Sequence, residues 1–135
     1  DNRHYSRMGD TLDSVHYLIN ALEYLDIADK TLIVIGSDFG RTPCYNSGVG
    51  TDHGSTTSQM LIMPKGTNTG GKVLGGSDEQ FNALPIDLTT GEANSAFNVR
   101  LTSSHIHAEL RRYLGIDQHD IAKLFPVGDD RLHIF

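Results

Sequence analysis

A chain of 135 residues with 38% hydrophobic and 21% charged residues has the composition of one globular domain with a modest core, and is neither fibrous, disordered nor membranous in character. Its 17 acidic against 11 basic residues leave a net charge of -6, and without a basic stripe carrying interleaved aromatics this disfavours nucleic acid as a partner. Cys44 is the only cysteine, which excludes an intrachain disulfide and a thiolate metal cluster, and no apolar stretch approaches the roughly 20 residues that span a bilayer.

The chain opens on Asp1 and enters a helical pattern almost at once, so it reads as the carboxyl-terminal piece of something longer. Met8, Leu12, Val15, Ile19 and Leu22 recur at spacings of four and three with polar residues between, which predicts an amphipathic helix over Met8 to Leu25. Asp29-Lys30 turns the chain into an apolar strand, Thr31 to Gly36. A helix feeding a buried strand is half of a βαβ unit. Gly40 to Ser58 is rich in Gly, Thr, Asn and Ser and reads as a long loop of the kind that carries function.

A second strand is expected at Gln59 to Met63 and a short one at Lys72 to Leu74, while Ser77 to Ala93 reads as polar surface. Thr102-Ser103-Ser104 offers amino-terminal caps for a helix from His105 to Leu114, and Gly115 sits where a carboxyl cap belongs.

The chemistry concentrates around LIVIGSDFGRTP, Leu32 to Pro43, followed by Asp52-His53. In open α/β sheets ligands bind beyond the carboxyl ends of strands, which places Asp38, Arg41 and His53 where a site would be. Asp38-Phe39-Gly40 matches the metal-binding triplet of protein kinases, but neither a preceding His-Arg-Asp loop nor a following Ala-Pro-Glu is present, so the kinase reading fails. KGTNTGGK, Lys65 to Lys72, lacks the Ser or Thr that a phosphate-binding loop needs after its Lys. His105 and His107 lie two apart on a predicted helix and face different ways. Ser37, Thr42, Thr51 and Ser55 are hydroxyls of the kind that solvate loops, and activation of one as a nucleophile is the rarer case. Carboxylates and imidazoles from separate loops, here Asp1, His4, Asp38 and His53, are donors that a divalent ion accepts.

GSDFGRTP, then TDHG before a strand, then GGKVLGGSDE, then a helix ending YLGID, together resemble the carboxyl-terminal part of a bacterial sulfatase-like family of unknown function in the alkaline phosphatase superfamily, over about Asp1 to Asp117. The resemblance implies an α/β fold: part of an alkaline phosphatase-like sandwich, a mostly parallel sheet flanked by helices, with residues 1-135 forming its carboxyl-terminal segment and the amino-terminal part absent. It implies Asp38 and His53 as metal ligands, with Asp1 and His4 as a further metal pair, and a divalent ion such as zinc, manganese or calcium as cofactor. Arg41 would neutralise the anionic group of the substrate. Phe39 departs from phosphatase-type members, which carry His there, and cannot ligate a metal. The strand that carries the superfamily's nucleophile has no counterpart here.

The leading expectation is therefore the metal-binding part of a sulfatase- or phosphatase-like hydrolase acting on a small-molecule or glycan ester, inactive as this chain alone, with periplasmic or secreted location implied by the resemblance. The alternative is a noncatalytic carbohydrate- or anion-binding module with a degenerate metal site, and a third is a structural or assembly domain. Phe39 favours the second.

Overall fold

The computed structural model describes residues 2–128 and 130–135, Asn2 in its backbone alone. The chain divides into two compact units, one of Asp1–Ile35 with Gln59–Gly70 and one of Gly36–Ser58 with Gly71–Phe135.

In the first unit, helix α1 spans Asn2–Tyr24 and begins earlier than the apolar repeat alone indicates, so His4 lies within the helix and not ahead of it. The repeat is seated only in its second half: Val15, Ile19 and Leu22 are half-buried, whereas Met8 is 62% exposed and Leu12 53%. Asp26, in the left-handed region at φ 57°, ends the helix, and Ile27 returns its N–H to the Leu22 carbonyl at 3.0 Å. Strand β1, Ile33–Gly36, then pairs with β4, Gln59–Ile62, as a two-stranded sheet. Burial along β1 alternates, with Val34 45% exposed, so the apolar run covers one face only. Lys65 ties the end of this unit to the helix, its N–H donating to Ala28 O at 2.8 Å and its Nζ to Glu23 Oε1 at 2.9 Å.

In the second unit, β2 (Gly40–Tyr45) and β3 (Thr51–Gly54) form an antiparallel hairpin with Gly40 opposite Gly54 and Arg41 opposite His53. Its turn is organised by Asn46, whose Oδ1 accepts from the backbone N–H of Gly48 at 3.0 Å and of Gly50 at 3.1 Å. Strands β5 (Pro85–Ile86) and β6 (Val99–Arg100) make a second antiparallel pair. Helix α2 spans Ser103–Tyr113 after an extended Thr102, whose backbone N–H donates to His105 Nδ1 at 3.1 Å. Gly115, at φ 67°, follows the Leu114 cap as the sequence anticipates. A short α3 covers Asp120–Leu124.

The buried hydrophobic side chains among the described residues are Ile86, Ala108, Leu132 and Ile134, so the core lies where β5, α2 and the final segment meet. That segment is stitched in at the backbone: Leu132 N–H donates to the buried Glu109 carboxylate at 3.1 Å and His133 N–H to Leu88 O at 2.9 Å. Arg112 neutralises Glu109 through a direct ion pair one helical turn on. A carboxylate at this depth is tolerable because it has both a counter-charge and a backbone donor.

These elements correct the expected architecture. Instead of a mostly parallel sandwich, the described residues form three two-stranded sheets, with β2–β3 and β5–β6 antiparallel. The reason lies in two stretches. Gly40 to Ser58, read as a loop, folds into the β2–β3 hairpin, and Ser77 to Ala93, read as polar surface, carries β5 and the core residue Ile86, 2% exposed. No strand forms at Lys72 to Leu74.

Candidate anion-binding pocket

The hairpin presents the residues singled out by sequence, and Phe39 organises them. Its ring stacks on His53 with centroids 3.7 Å apart and planes at 21°, and the Arg41 guanidinium lies 5.1 Å from the Phe39 centroid, within cation–π range. Register explains the meeting: Arg41 and His53 are cross-strand partners, and Phe39 immediately precedes β2. Arg41 also donates from Nη1 to Thr51 O at 3.0 Å, which fixes the side chain along the hairpin while leaving its other N–H groups available. Thr42 Oγ1 accepts from Asp52 N–H at 3.0 Å and locks the strand above. Gly40 is obligatory here, because a Cβ would overlap the Thr56 carbonyl oxygen.

Beside this cluster is an open pocket of about 340 Å³, lined by Arg41, Thr42 and Pro43 of β2, His53 and Gly54 of β3, Ser55 and Thr56, with Gln80, Phe81 and Asn82 completing the lining. The lining contains a cation, an imidazole, three hydroxyls and two amides, and no carboxylate. The Gln80–Asn82 segment is held by Asp78, whose carboxylate accepts from Asn82 Nδ2 at 3.0 Å, Asn82 N–H at 2.8 Å and Gln80 N–H at 2.9 Å. The Asn82 side chain, then the two backbone donors, with the Arg100 charge behind them, hold the Asp78 carboxyl below its ordinary 3.8. Phe81 sits at φ 62°, a conformation that costs a non-glycine residue about 1 kcal/mol, and is 52% exposed.

The sequence-derived metal set fares differently. Asp38 is exposed, and no hydrogen bond or ion pair joins it to His53. His4 is an exposed residue of α1 in the first unit, and Asp1 lies outside the described residues. Among the described residues no three His, Cys, Asp or Glu side chains form a group able to hold a metal ion. Zinc takes three or four protein donors in a resident site, so a zinc ion at this rim would need donors beyond those gathered here. Two contributors escaped the sequence reading. Phe39 reads in sequence as a residue that cannot ligate and so favours a binding module, not as one that stacks on His53, and Gln80–Asn82 lie in a stretch that reads as polar surface; an aromatic flanked by two amides after an Asp is their only local signal.

In the second unit the β2–β3 hairpin and the Gln80–Asn82 segment together line a pocket that carries no carboxylate. A family model described as a protein of unknown function (DUF1501) matches residues 1–132, and the chain belongs to that family. Neither the curated proteins nor the solved structures include a match to it. Among the described residues, no helix is long and apolar enough to cross a membrane.

Proposed function

We propose that the hairpin pocket binds the oxyanion of a sulfate or phosphate ester, with Arg41 as the principal cation, His53 beside it, and the hydroxyls of Ser55 and Thr56 as neutral donors. The observation that carries this reading is the composition of the lining: one guanidinium, one imidazole and three hydroxyls on a cavity from which every carboxylate is absent. Guanidinium is suited to a planar pair of oxyanion contacts, and a neutral hydroxyl adds a donor without adding charge. The Phe39 ring keeps Arg41 and His53 in place on the hairpin, so part of the ordering cost of binding is met before the ligand arrives.

Calorimetric titration of the 135-residue chain with sodium sulfate and with sodium phosphate, at constant ionic strength against chloride, tests it. Saturable binding is expected, weakened about ten- to a hundredfold by Arg41→Gln, as loss of a charge-assisted hydrogen bond predicts. Equal heats for sulfate, phosphate and chloride, or an Arg41→Gln variant that binds like the parent, would overturn the proposal.

A further inference from the structure

The register of the β2–β3 hairpin is not carried by strand pairing alone. Arg41 stands opposite His53 and Tyr45 opposite Thr51, so three residues of β2, Thr42, Pro43 and Cys44, face one residue of β3, Asp52. Extra residues in one strand leave ladder groups unmatched and re-aim the side chains beside them. Pro43 brings no N–H to the mismatch. The two strands lack apolar alternation and pair Gly40 with Gly54 at their open end, a composition that specifies register weakly. A slip by one residue would turn every β3 side chain to the other face and take His53 away from Arg41.

The groups that close the gap are polar. The Asp52 N–H points at β2, where a ladder carbonyl would stand, and donates instead to Thr42 Oγ1 at 3.0 Å. The same hydroxyl donates to Cys44 O at 3.3 Å, so one oxygen serves both strands across the bulge. From the turn side, Asn46 Nδ2 donates to Asp52 Oδ1 at 2.7 Å. Asp52 is thereby fixed at its N–H and at its carboxylate. It lies between His53 and Thr51, whose carbonyl receives Arg41 Nη1 at 3.0 Å.

We infer that Thr42 is a positioning residue of the anion pocket: its hydroxyl closes the bulge and so holds the register in which Arg41 faces His53. This rests on the anion-binding reading above and adds to it a residue that acts without touching the ligand. A hydroxyl has one proton, and that of Thr42 is committed to Cys44 O, so Thr42 acts on the oxyanion through Arg41 and His53. Both of its hydrogen bonds are open to solvent, so water replaces part of what is lost when the hydroxyl goes, and the effect of removing it is several-fold.

The experiment joins calorimetric titration of the 135-residue chain with sodium sulfate to proton resonance of the ligand-free chain, for Thr42→Val, Thr42→Ala and Thr42→Ser. Valine keeps the shape of threonine without the hydroxyl, alanine removes the hydroxyl without branched bulk, and serine keeps the hydroxyl. Circular dichroism of each variant reports the fold. Thr42→Val and Thr42→Ala are expected to bind sulfate about three- to tenfold more weakly than the parent. Before any ligand is added, they are also expected to shift the His53 ring protons, which the stacked Phe39 ring shields. Thr42→Ser is expected to return both measurements to the parent values. Weaker binding with unchanged His53 shifts would make Thr42 a direct ligand group and overturn the inference. So would Val and Ala variants that match the parent in both measurements, or a Ser variant that rescues neither. If the parent itself takes up no sulfate, the anion reading falls, and the register role stands or falls on the His53 shifts alone.

Discussion

At the residue scale, the second unit depends on one position where no side chain fits. Gly40 opens β2, and a Cβ there would overlap the Thr56 carbonyl oxygen and lie 2.8 Å from its carbon. Both neighbours are backbone, so relief requires the hairpin itself to shift. Gly40→Ala is expected to destabilise the second unit by about 1–3 kcal/mol and to disturb the Phe39–His53 stack, because Phe39 is the preceding residue. Denaturant unfolding followed by far-ultraviolet dichroism measures the first effect and the His53 ring proton shifts the second. A variant as stable as the parent with unchanged shifts would contradict this account. Among glycines, Gly54 faces it across the hairpin under milder crowding, its nearest backbone atoms at 3.1 Å.

At the scale of elements, the two aspartate turns set a pH dependence whose sign follows from their partners. Asp78 is held below 3.8 by the side chain and backbone of Asn82, and Asp87 below 3.8 by the backbone N–H groups of Thr90 and Thr89. A carboxyl that is more acidic when folded adds stability above its unfolded value, and that stability is lost as pH falls through the lower, folded value. Both groups are solvent-accessible, so the effect is reduced by screening. Unfolding midpoints of the second unit are expected to drop as pH falls from about 5 to about 2, with a shallower drop in Asp78→Asn, since the variant no longer titrates there. A profile for Asp78→Asn that superimposes on the parent would show that the turn contributes nothing. How legible these elements were depended on apolar pattern. The helix stripe from Met8 to Leu22, the runs at Leu32 to Ile35 and Gln59 to Met63, and the α2 cap each announce themselves by period or by cap residues. The β2–β3 hairpin does not: Arg41, Thr42, Pro43 and Cys44 show no apolar alternation, and its register comes from Asn46 and from Phe39 covering His53. Sequence placed Asp38, Arg41 and His53 together, and the structure sets Arg41 opposite His53 in the hairpin while Asp38 stays exposed. The Gln80–Asn82 part of the lining was not legible, because Asp78 to Asn82 reaches the hairpin only through tertiary folding.

At the scale of the whole molecule, stability of the second unit is concentrated in a few buried side chains near its end. Leu132 is 0% exposed, and Ile134 is buried beside it. Leu132→Ala removes a side chain with no solvent to refill the space, so a loss of about 2–5 kcal/mol is expected, enough to unfold a small unit of marginal stability. The first unit has its own ties, among them the Glu23–Lys65 pair, in which the Lys65 ammonium lowers the Glu23 pKa and is itself raised in turn. Hydrogen exchange resolved along the chain therefore should show protection lost around Ile86 and Ala108 in Leu132→Ala, and retained in α1. Uniform loss of protection in both units would show that they unfold as one.

The stitching of Leu132 to Glu109 and of Lys72 Nζ to Ile134 O, 3.4 Å apart, has a consequence for biosynthesis. Contacts between residues 62 positions apart in sequence form only after the later one has emerged from the ribosome. Until residues 132 to 134 are synthesised, Ile86 and Ala108 lack the cover those residues give, and a nascent chain halted before that point exposes its apolar core to chaperones and proteases. Folding of the second unit therefore waits on residues 132 to 134, whose docking against Glu109 and Leu88 closes the core around Ile86 and Ala108.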